Sequence, residues 1–342
     1  QIKHDVLGET LERSGVPVPA KIAILAGDPW GYRNRIRLAF DRNGNPGYRG
    51  RRSHNVVPIR ECPIAAPLLV RAALAAAQVA RRFAPGLRPV EMALFCDAKE
   101  TALLLTVVTA GFTKFRFDDF AEALRATIPE LVGAELVLEG TTSGESQNSR
   151  TPRTLAQWGA VSLAYPAAGV DYRVDHGAFF QVNRWLVDAL AECVTSALSG
   201  RLAWDLFAGV GLFARRLANS FERVVAIESA PAATDALTAN LAGTTGAAVR
   251  ASTLEFLRSN RTGERPDLVV VDPPRTGLGP EITALLGQIA APVLVYVSCD
   301  PATLARDLRA LLAGGYGIES VTLADLFPQT FHLETVVRLR RT

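Results

Sequence analysis

The rhythm of apolar and polar positions changes partway along the chain, and the change separates two kinds of structure. Near the start, Val6, Leu7 and Leu11 fit a helical repeat, which predicts a short helix over Lys3–Ser14, broken by Pro17 and Pro19. Over Asn34–Phe40 the period shortens to two, with Arg35 and Arg37 on one face and Ile36 and Leu38 on the other, as in a strand. Asn43-Gly44-Asn45-Pro46-Gly47 then reads as a turn into a second strand. Leu68–Phe83 is alanine-rich and helical, Leu94–Thr109 and Leu131–Glu139 are strand-like, and the polar stretch Thr141–Arg153 is expected to be a loop.

From about Asp171 the pattern becomes regular. Helical stretches at Trp185–Leu198, Leu212–Asn219, Ala232–Leu241, Glu281–Ile289 and Pro301–Leu312 alternate with short apolar runs. Those runs, Leu202–Leu206, Val224–Ile227, Leu268–Val271 and Val293–Val297, are short and, apart from Asp205, apolar throughout. A continuous run marks a strand covered on both faces, so the expected architecture is α/β with a mostly parallel sheet. Such sheets bind ligands beyond the carboxyl ends of their strands. That rule singles out Asp205–Gly211, Glu228, Asp272–Arg275 and Ser298–Asp300.

Length and composition fit this division. At ~150 residues per domain, 342 residues suggest two domains, expected here at 1–170 and 171–342. An apolar fraction of 49% fills two cores and excludes a disordered chain. Thirty-seven Lys and Arg against 34 Asp and Glu leave +3, which neither demands nor excludes nucleic acid. The longest apolar candidate, Ala65 to Ala80, is interrupted by Arg71 and Gln78, so no membrane segment is expected. Cys62, Cys96, Cys193 and Cys299 are scattered without a CxxC pair, as in a reduced cytoplasmic protein.

The strand ends carry the chemistry. Asp205-Leu206-Phe207-Ala208-Gly209-Val210-Gly211 leaves a strand and opens a helix, with glycines that let backbone approach a ligand. Glu228 closes the next strand, where a carboxylate can accept hydrogen bonds from both ribose hydroxyls. With no separate pyrophosphate site, the arrangement suits S-adenosylmethionine better than a dinucleotide. Cys299 sits between a strand and a helix that Asp300 can cap and Pro301 can begin, and a helix N-terminus favours the reactive thiolate. In Asp272-Pro273-Pro274-Arg275 two prolines hold the chain extended and leave the acid and Arg275 projecting. An Asn-Pro-Pro-aromatic loop would suggest methylation of an exocyclic amine; the acid here argues against it. Glu334 begins a strand beside the loop Phe327–Leu333. Read singly, a glutamate at this place is more often solvated surface than catalyst, and His332 is more often a satisfied structural histidine.

Together these segments resemble the RNA uracil-C5 methyltransferase family, which makes 5-methyluridine in tRNA and ribosomal RNA. Phe179-Phe180-Gln181-Val182-Asn183, Asp205–Gly211, Asp272–Gly277, Tyr296–Thr303 and Phe327–Glu334 occur in the family's order. Pro29-Trp30-Gly31-Tyr32-Arg33 and Glu61-Cys62-Pro63 look like the central domain of the 23S ribosomal RNA branch. The resemblance implies a Rossmann-like class I methyltransferase domain with a mostly parallel seven-stranded sheet, preceded by a smaller α+β RNA-binding domain. It implies Cys299 as the nucleophile toward uracil C6 and Glu334 as the base that removes the C5 proton, with Asp272 as a further catalytic residue. It also implies Gln181, Phe207, Gly209, Glu228 and Asp272 as contacts to cofactor or flipped base. A monomer acting on RNA without a membrane is the expected state.

Asp300 departs from the family's usual asparagine, Leu212 from an asparagine and Ala208 from a frequent cysteine. Ribosomal RNA members often carry an upstream β-barrel and three clustered cysteines that bind a [4Fe–4S] cluster with a fourth. Cys62 matches the fourth, so a cluster would need cysteines upstream of this chain. Arg33, Arg35, Arg37, Arg51 and Arg52 belong to an arginine-rich stretch expected to contact RNA phosphates. The alternatives are a tRNA target, cytosine-C5 methylation, or a catalytically silent RNA-binding protein. Cytosine enzymes typically carry Pro-Cys and Thr-Cys segments, where this chain has Ser298-Cys299.

Overall fold

The computed structural model describes residues 1–50, 53, 55–84, 86–112, 115–139, 153–260 and 263–342. The chain opens with α1 (Ile2–Arg13) and β1 (Ala23–Leu25). It continues through β2 (Arg35–Phe40), β3 (Pro46–Arg49), β4 (Val56–Pro58), α2 (Pro67–Arg82), β5 (Leu87–Cys96) and β6 (Leu103–Phe112). Next come α3 (Phe117–Arg125), β7 (Leu131–Leu138), β8 (Arg153–Gly159) and the hairpin of β9 (Ser162–Ala167) and β10 (Val170–Asp175). An alternating series follows: α4 (Val187–Thr195), β11 (Gly200–Leu206), α5 (Leu212–Leu217), β12 (Phe221–Glu228), α6 (Pro231–Leu241) and β13 (Gly246–Arg250). It ends with α7 (Thr253–Ser259), β14 (Leu268–Val271), α8 (Gly279–Ile289), β15 (Val293–Ser298), α9 (Pro301–Ala313), β16 (Tyr316–Ala324) and β17 (Glu334–Arg341). Of the stretch expected to be a loop, Thr141–Arg153, only Arg153 lies within the described residues, and it begins β8.

The chain forms two compact units, and their division departs from the expected boundary at residue 170. Gln1–Pro29 belongs with Ala167–Arg173 and Ala178–Thr342, while Trp30–Pro166 and Val174–Gly177 form the other unit. The physical reason is burial. Leu7 and Leu11 are fully buried and share a core with Leu304, Leu308 and Leu311 of α9. Lys3 Nζ also reaches Asp325 (2.6 Å) and the Phe327 carbonyl (2.9 Å).

The larger unit is built on a sheet ordered β1-β16-β17-β15-β14-β11-β12-β13. It has eight strands where seven were expected. The addition is β1, three residues that pair in parallel with Thr322–Ala324 and are too short to show a period. Only β17 runs antiparallel to its neighbours. The Leu268–Val271 and Val293–Ser298 runs are buried throughout, as expected of strands with helices on both faces.

The smaller unit holds a sheet ordered β4-β3-β2-β5-β6-β7-β8. The residues alternate. Ile36, Leu38, Met92, Leu94, Leu105 and Leu136 lie in one core with the apolar sides of α2 and α3. Arg35 and Arg37, of opposite parity, are paired across the ladder with Phe95 and Ala93.

Candidate active site

Five neighbouring strands of the larger sheet bring the expected site residues to one edge. Across it, in strand order, stand Glu334 at the start of β17, Cys299 after β15, Asp272 after β14, Phe207 after β11 and Glu228 closing β12. The antiparallel β17 is what brings Glu334 to this edge, because its first residue lies where its neighbours end. The β15–β17 register closes with Ser298 opposite Thr335, and one further step sets Cys299 beside Glu334. Residues 35 positions apart in sequence are thereby placed together by backbone pairing.

The turn around Cys299 forms as its sequence requires. Asp300 caps α9, accepting from the amides of Ala302 (3.0 Å) and Thr303 (2.9 Å), and Pro301 takes the first helical turn, where its missing N–H costs nothing. The thiol is half-buried. Its proton is held more tightly than the helix N-terminus alone suggests. Burial first, then the carboxyls of Glu334 and Asp272, push it up to about 11, with Arg275 opposing them. Burial and Asp272 likewise raise the Glu334 carboxyl well above the ordinary range, again against Arg275. Burial lifts Asp272 to about 7, and the Gln181 amide, which donates to it at 3.3 Å, acts in the opposite direction. Arg275 Nη2 lies 2.8 Å from His332 Nδ1, so the guanidinium that acts on Cys299 and Glu334 also holds the imidazole.

The other end of the edge is an open cleft lined by Phe179, Phe180, Gln181, Phe207, Gly209 and Asp272 among others. Asp205 Oδ2 accepts from the Ala214 amide (2.8 Å), pinning the turn to the first helical residues of α5. Phe207 holds a left-handed φ of +65°, a conformation that costs a non-glycine residue ~1 kcal/mol and places its ring in the cleft. Gly211, at φ +93°, has no such alternative: a Cβ there would lie 2.6 Å from Leu237 Cδ1. Glu228 Oε2 accepts from the Gly209 amide (3.0 Å), and its Oε1 accepts from the amides of Ser229 and Ala230 (2.7 Å each). Burial, with Asp272 and Glu228 adding to it, lifts Asp205 to about 8.

Gln181, Phe207, Gly209 and Asp272 thus share one cleft, Glu228 is hydrogen-bonded to it through Gly209, and Cys299 and Glu334 adjoin it. Two residues with positioning roles stand outside the sequence expectation. Asn183, fully buried, donates to the Leu326 carbonyl (2.9 Å) and so ties the Gln181 segment to the loop that leads to Glu334. Asp307 is buried on α9 among Leu304, Ala305 and Leu308. A charge at a core position of an amphipathic helix is the signal that identifies it.

The expected RNA-contact residues lie in the smaller unit. Arg37 is 70% exposed and pairs with Glu91 (2.8 Å). Arg33 lies 5.9 Å from the Tyr32 ring centroid. Arg35 is half-buried and stacks over Phe95 at 4.5 Å, which itself stacks on Tyr165. Arg51 and Arg52 fall outside the described residues. The Cys62 sulfur lies 3.3 Å from Tyr48 Oη. Among the described residues no three His, Cys, Asp or Glu side chains gather as metal ligands, so the described part of this chain does not by itself fit a four-thiolate cluster.

The profile of the tRNA (uracil-5-)-methyltransferase family matches residues 162–342. An uncharacterized RNA methyltransferase of Gloeobacter violaceus is 31% identical, over 100% of this chain and 78% of its own length. A 23S rRNA (uracil(1939)-C(5))-methyltransferase of Halomonas elongata is 30% identical, over 98% of this chain and 71% of its own. Among solved structures, the tRNA (uracil-54, C5)-methyltransferase of Pyrococcus abyssi in complex with S-adenosyl-L-homocysteine superposes with a TM-score of 0.76. That match is 24% identical, covers 99% of this chain and 83% of the other, and concerns the fold.

Proposed function

This chain belongs to the tRNA (uracil-5-)-methyltransferase family, and from that premise we propose that it methylates C5 of a uridine in 23S ribosomal RNA with S-adenosylmethionine as donor. The observation that carries the reading is the register that sets Cys299 beside Glu334, with Asp272 on the next strand. The cleft suits the donor: its walls are largely aromatic, and Glu228 offers acceptors for ribose hydroxyls. When bound, S-adenosylmethionine supplies an electrophilic methyl group.

The chain's own residues do the rest. Uracil C5 is a weak nucleophile until a sulfur adds at C6. Cys299 gives up its proton and bonds to C6, and the C5–C6 π electrons move onto the C4 oxygen as an enolate. C5 then takes the methyl group. Glu334 removes the remaining C5 proton, the pair left behind restores the double bond, and Cys299 departs as thiolate. One proton is released overall. A buried carboxyl with a raised proton affinity is a suitable acceptor, because a base works best when its affinity lies near the working pH. To reach the edge the uridine must leave its stack.

The smaller unit serves RNA, with Arg33 and Arg37 on phosphates and Arg35, Arg51 and Arg52 as further members of the basic stretch. The enzyme acts as a cytoplasmic monomer. Support for a ribosomal target comes from the Trp30–Arg33 and Glu61–Pro63 segments and from the Halomonas relative. The test supplies the protein with S-adenosylmethionine and, separately, 23S rRNA and tRNA free of 5-methyluridine, followed by nucleoside mass spectrometry. We expect 5-methyluridine in 23S rRNA. Product in tRNA alone reassigns the target, 5-methylcytidine overturns the choice of base, and binding without product supports a silent RNA-binding protein.

A further inference from the structure

The loop that follows β14 is held from one face of one helix. Thr303, Arg306 and Asp307 stand at i, i+3 and i+4 on α9 and so project to the same side. Thr303 Oγ1 donates to the Arg275 carbonyl (3.2 Å), and Arg306 Nη2 donates to the Thr276 carbonyl (2.8 Å). Asp307 is 2% exposed and accepts from the amides of Leu278 (2.7 Å) and Gly279 (3.3 Å), from Tyr296 Oη (2.8 Å) and from Arg306 Nε (2.9 Å). A carboxylate is costly to bury unless donors surround it, and here they come from three separate segments.

Loop and helix are packed to the limit. Gly277 has φ +72°, and a Cβ on it would lie 2.4 Å from Asp307 Oδ2 and 2.6 Å from Arg306 Nη2. All the contacts from this helix face to the loop grip the loop's main chain. The Arg275 side chain therefore stays available to the site, where it meets His332.

We propose that the Thr303–Arg306–Asp307 face of α9 is a clamp that holds the Arg275 guanidinium against Cys299 and Glu334. The helix begun by the nucleophile thus also sets the charge beside it. These are positioning residues, and the inference rests on the uridine-C5 reading above. The charged groups facing Cys299 are Glu334 from β17, Asp272 from β14 and Arg275 from the clamped loop, with Asp300 next in the chain and His332 bonded to Arg275. Of the charged side chains acting on the thiol, the two carboxyls raise it and Arg275 lowers it. Loosening Arg275 should therefore move the nucleophile's titration to higher pH.

The test follows the rate of covalent adduct formation with 5-fluorouridine-substituted 23S rRNA and S-adenosylmethionine as a function of pH. Fluorine cannot leave as a cation, so the C6 thioether persists on a denaturing gel. Thr303→Val and Gly277→Ala weaken the clamp without changing charge. Each is expected to shift the profile alkaline by about half a pH unit, slowing the reaction about threefold at pH 7. Thr303→Ser keeps the hydroxyl and should restore the wild-type profile. In an Arg275→Met background neither variant should shift it further. An equal loss at every pH, or an additional shift without Arg275, overturns the clamp. The Thr303→Val and Thr303→Ser pair carries the test should Gly277→Ala fail to fold. Absence of adduct with the wild-type protein would instead overturn the uridine-C5 reading itself.

Discussion

The two sheets use their polar residues in opposite ways. In the larger unit, polar side chains stand at strand ends, where Cys299, Glu334, Asp272 and Asp205 crowd one edge and burial makes each hold its proton tightly, with neighbouring carboxyls adding to it at Cys299, Glu334 and Asp205. In the smaller unit, polar side chains stand along the strands, and neighbours absorb them: Glu91 pairs with Arg37, and Phe95 stacks on Arg35. Burial, and after it the nearby Arg37, lowers the Arg35 guanidinium to about 10, which marks it as a structural cation. Charge left uncompensated at a strand end is poised for chemistry, whereas charge compensated within a sheet face contributes mainly to packing and register. The same contrast separates the thiols. Cys299 is flanked by ionisable groups at a strand end, while Cys62 has a tyrosine hydroxyl.

The largest expected effect breaks that contrast at the thiols. Cys299→Ala should lower methylation by at least about 10³-fold, while Cys62→Ala leaves turnover unchanged, as read by 5-methyluridine formation. A loss in both would erase the distinction.

Next comes the strained carboxyl at the strand end. The folded protein holds the Asp205 proton up to about pH 8, against 3.8 for an ordinary aspartate. The unfolded chain gives up that proton first, so stability is greatest below pH 4 for this group and falls as pH rises toward 8. Asp205→Asn cannot ionise. Its unfolding free energy should gain on the wild type between pH 5 and 8, by up to about 1.4 kcal/mol per pH unit, and a parallel pair of stability–pH curves would refute the assignment.

The smallest effect concerns the arginines. Arg37→Ala should weaken RNA binding a few-fold and reduce the salt slope by about one phosphate contact. Arg35→Ala should lower stability by ~1 kcal/mol through the lost Phe95 stack, more than Arg37→Ala does. Reversed rankings would show that the sheet face is the RNA surface and Arg35 its anchor.

The site was legible in the sequence where burial is continuous. The Leu268–Val271 and Val293–Val297 runs read as covered strands, so the residues just after them, Asp272 and the Ser298-Cys299 pair, fall at the sheet edge. Glu334 was legible only through the resemblance, because its place beside Cys299 depends on the antiparallel pairing of β17, which no local pattern encodes. The eighth strand was hidden for another reason: Ala23–Leu25 is exposed or half-buried and too short for a period. α7 carries a Ser252–Glu255 capping box, a readable signal that the count of apolar runs passes over. The place of α1 was not legible, because Leu7 and Leu11 join it to the core of the larger unit through contacts that sequence proximity does not reveal.

The central claim is that Cys299 bonds to the base and Glu334 releases it. Glu334→Gln, given S-adenosylmethionine and unmodified 23S rRNA, tests both at once. Turnover should fall about 10²–10⁴-fold, and RNA should accumulate covalently on the protein. Mass spectrometry of the digested adduct should find a methylated uridine attached to the peptide that contains Cys299. Normal turnover, or an adduct on any other residue, would contradict the account.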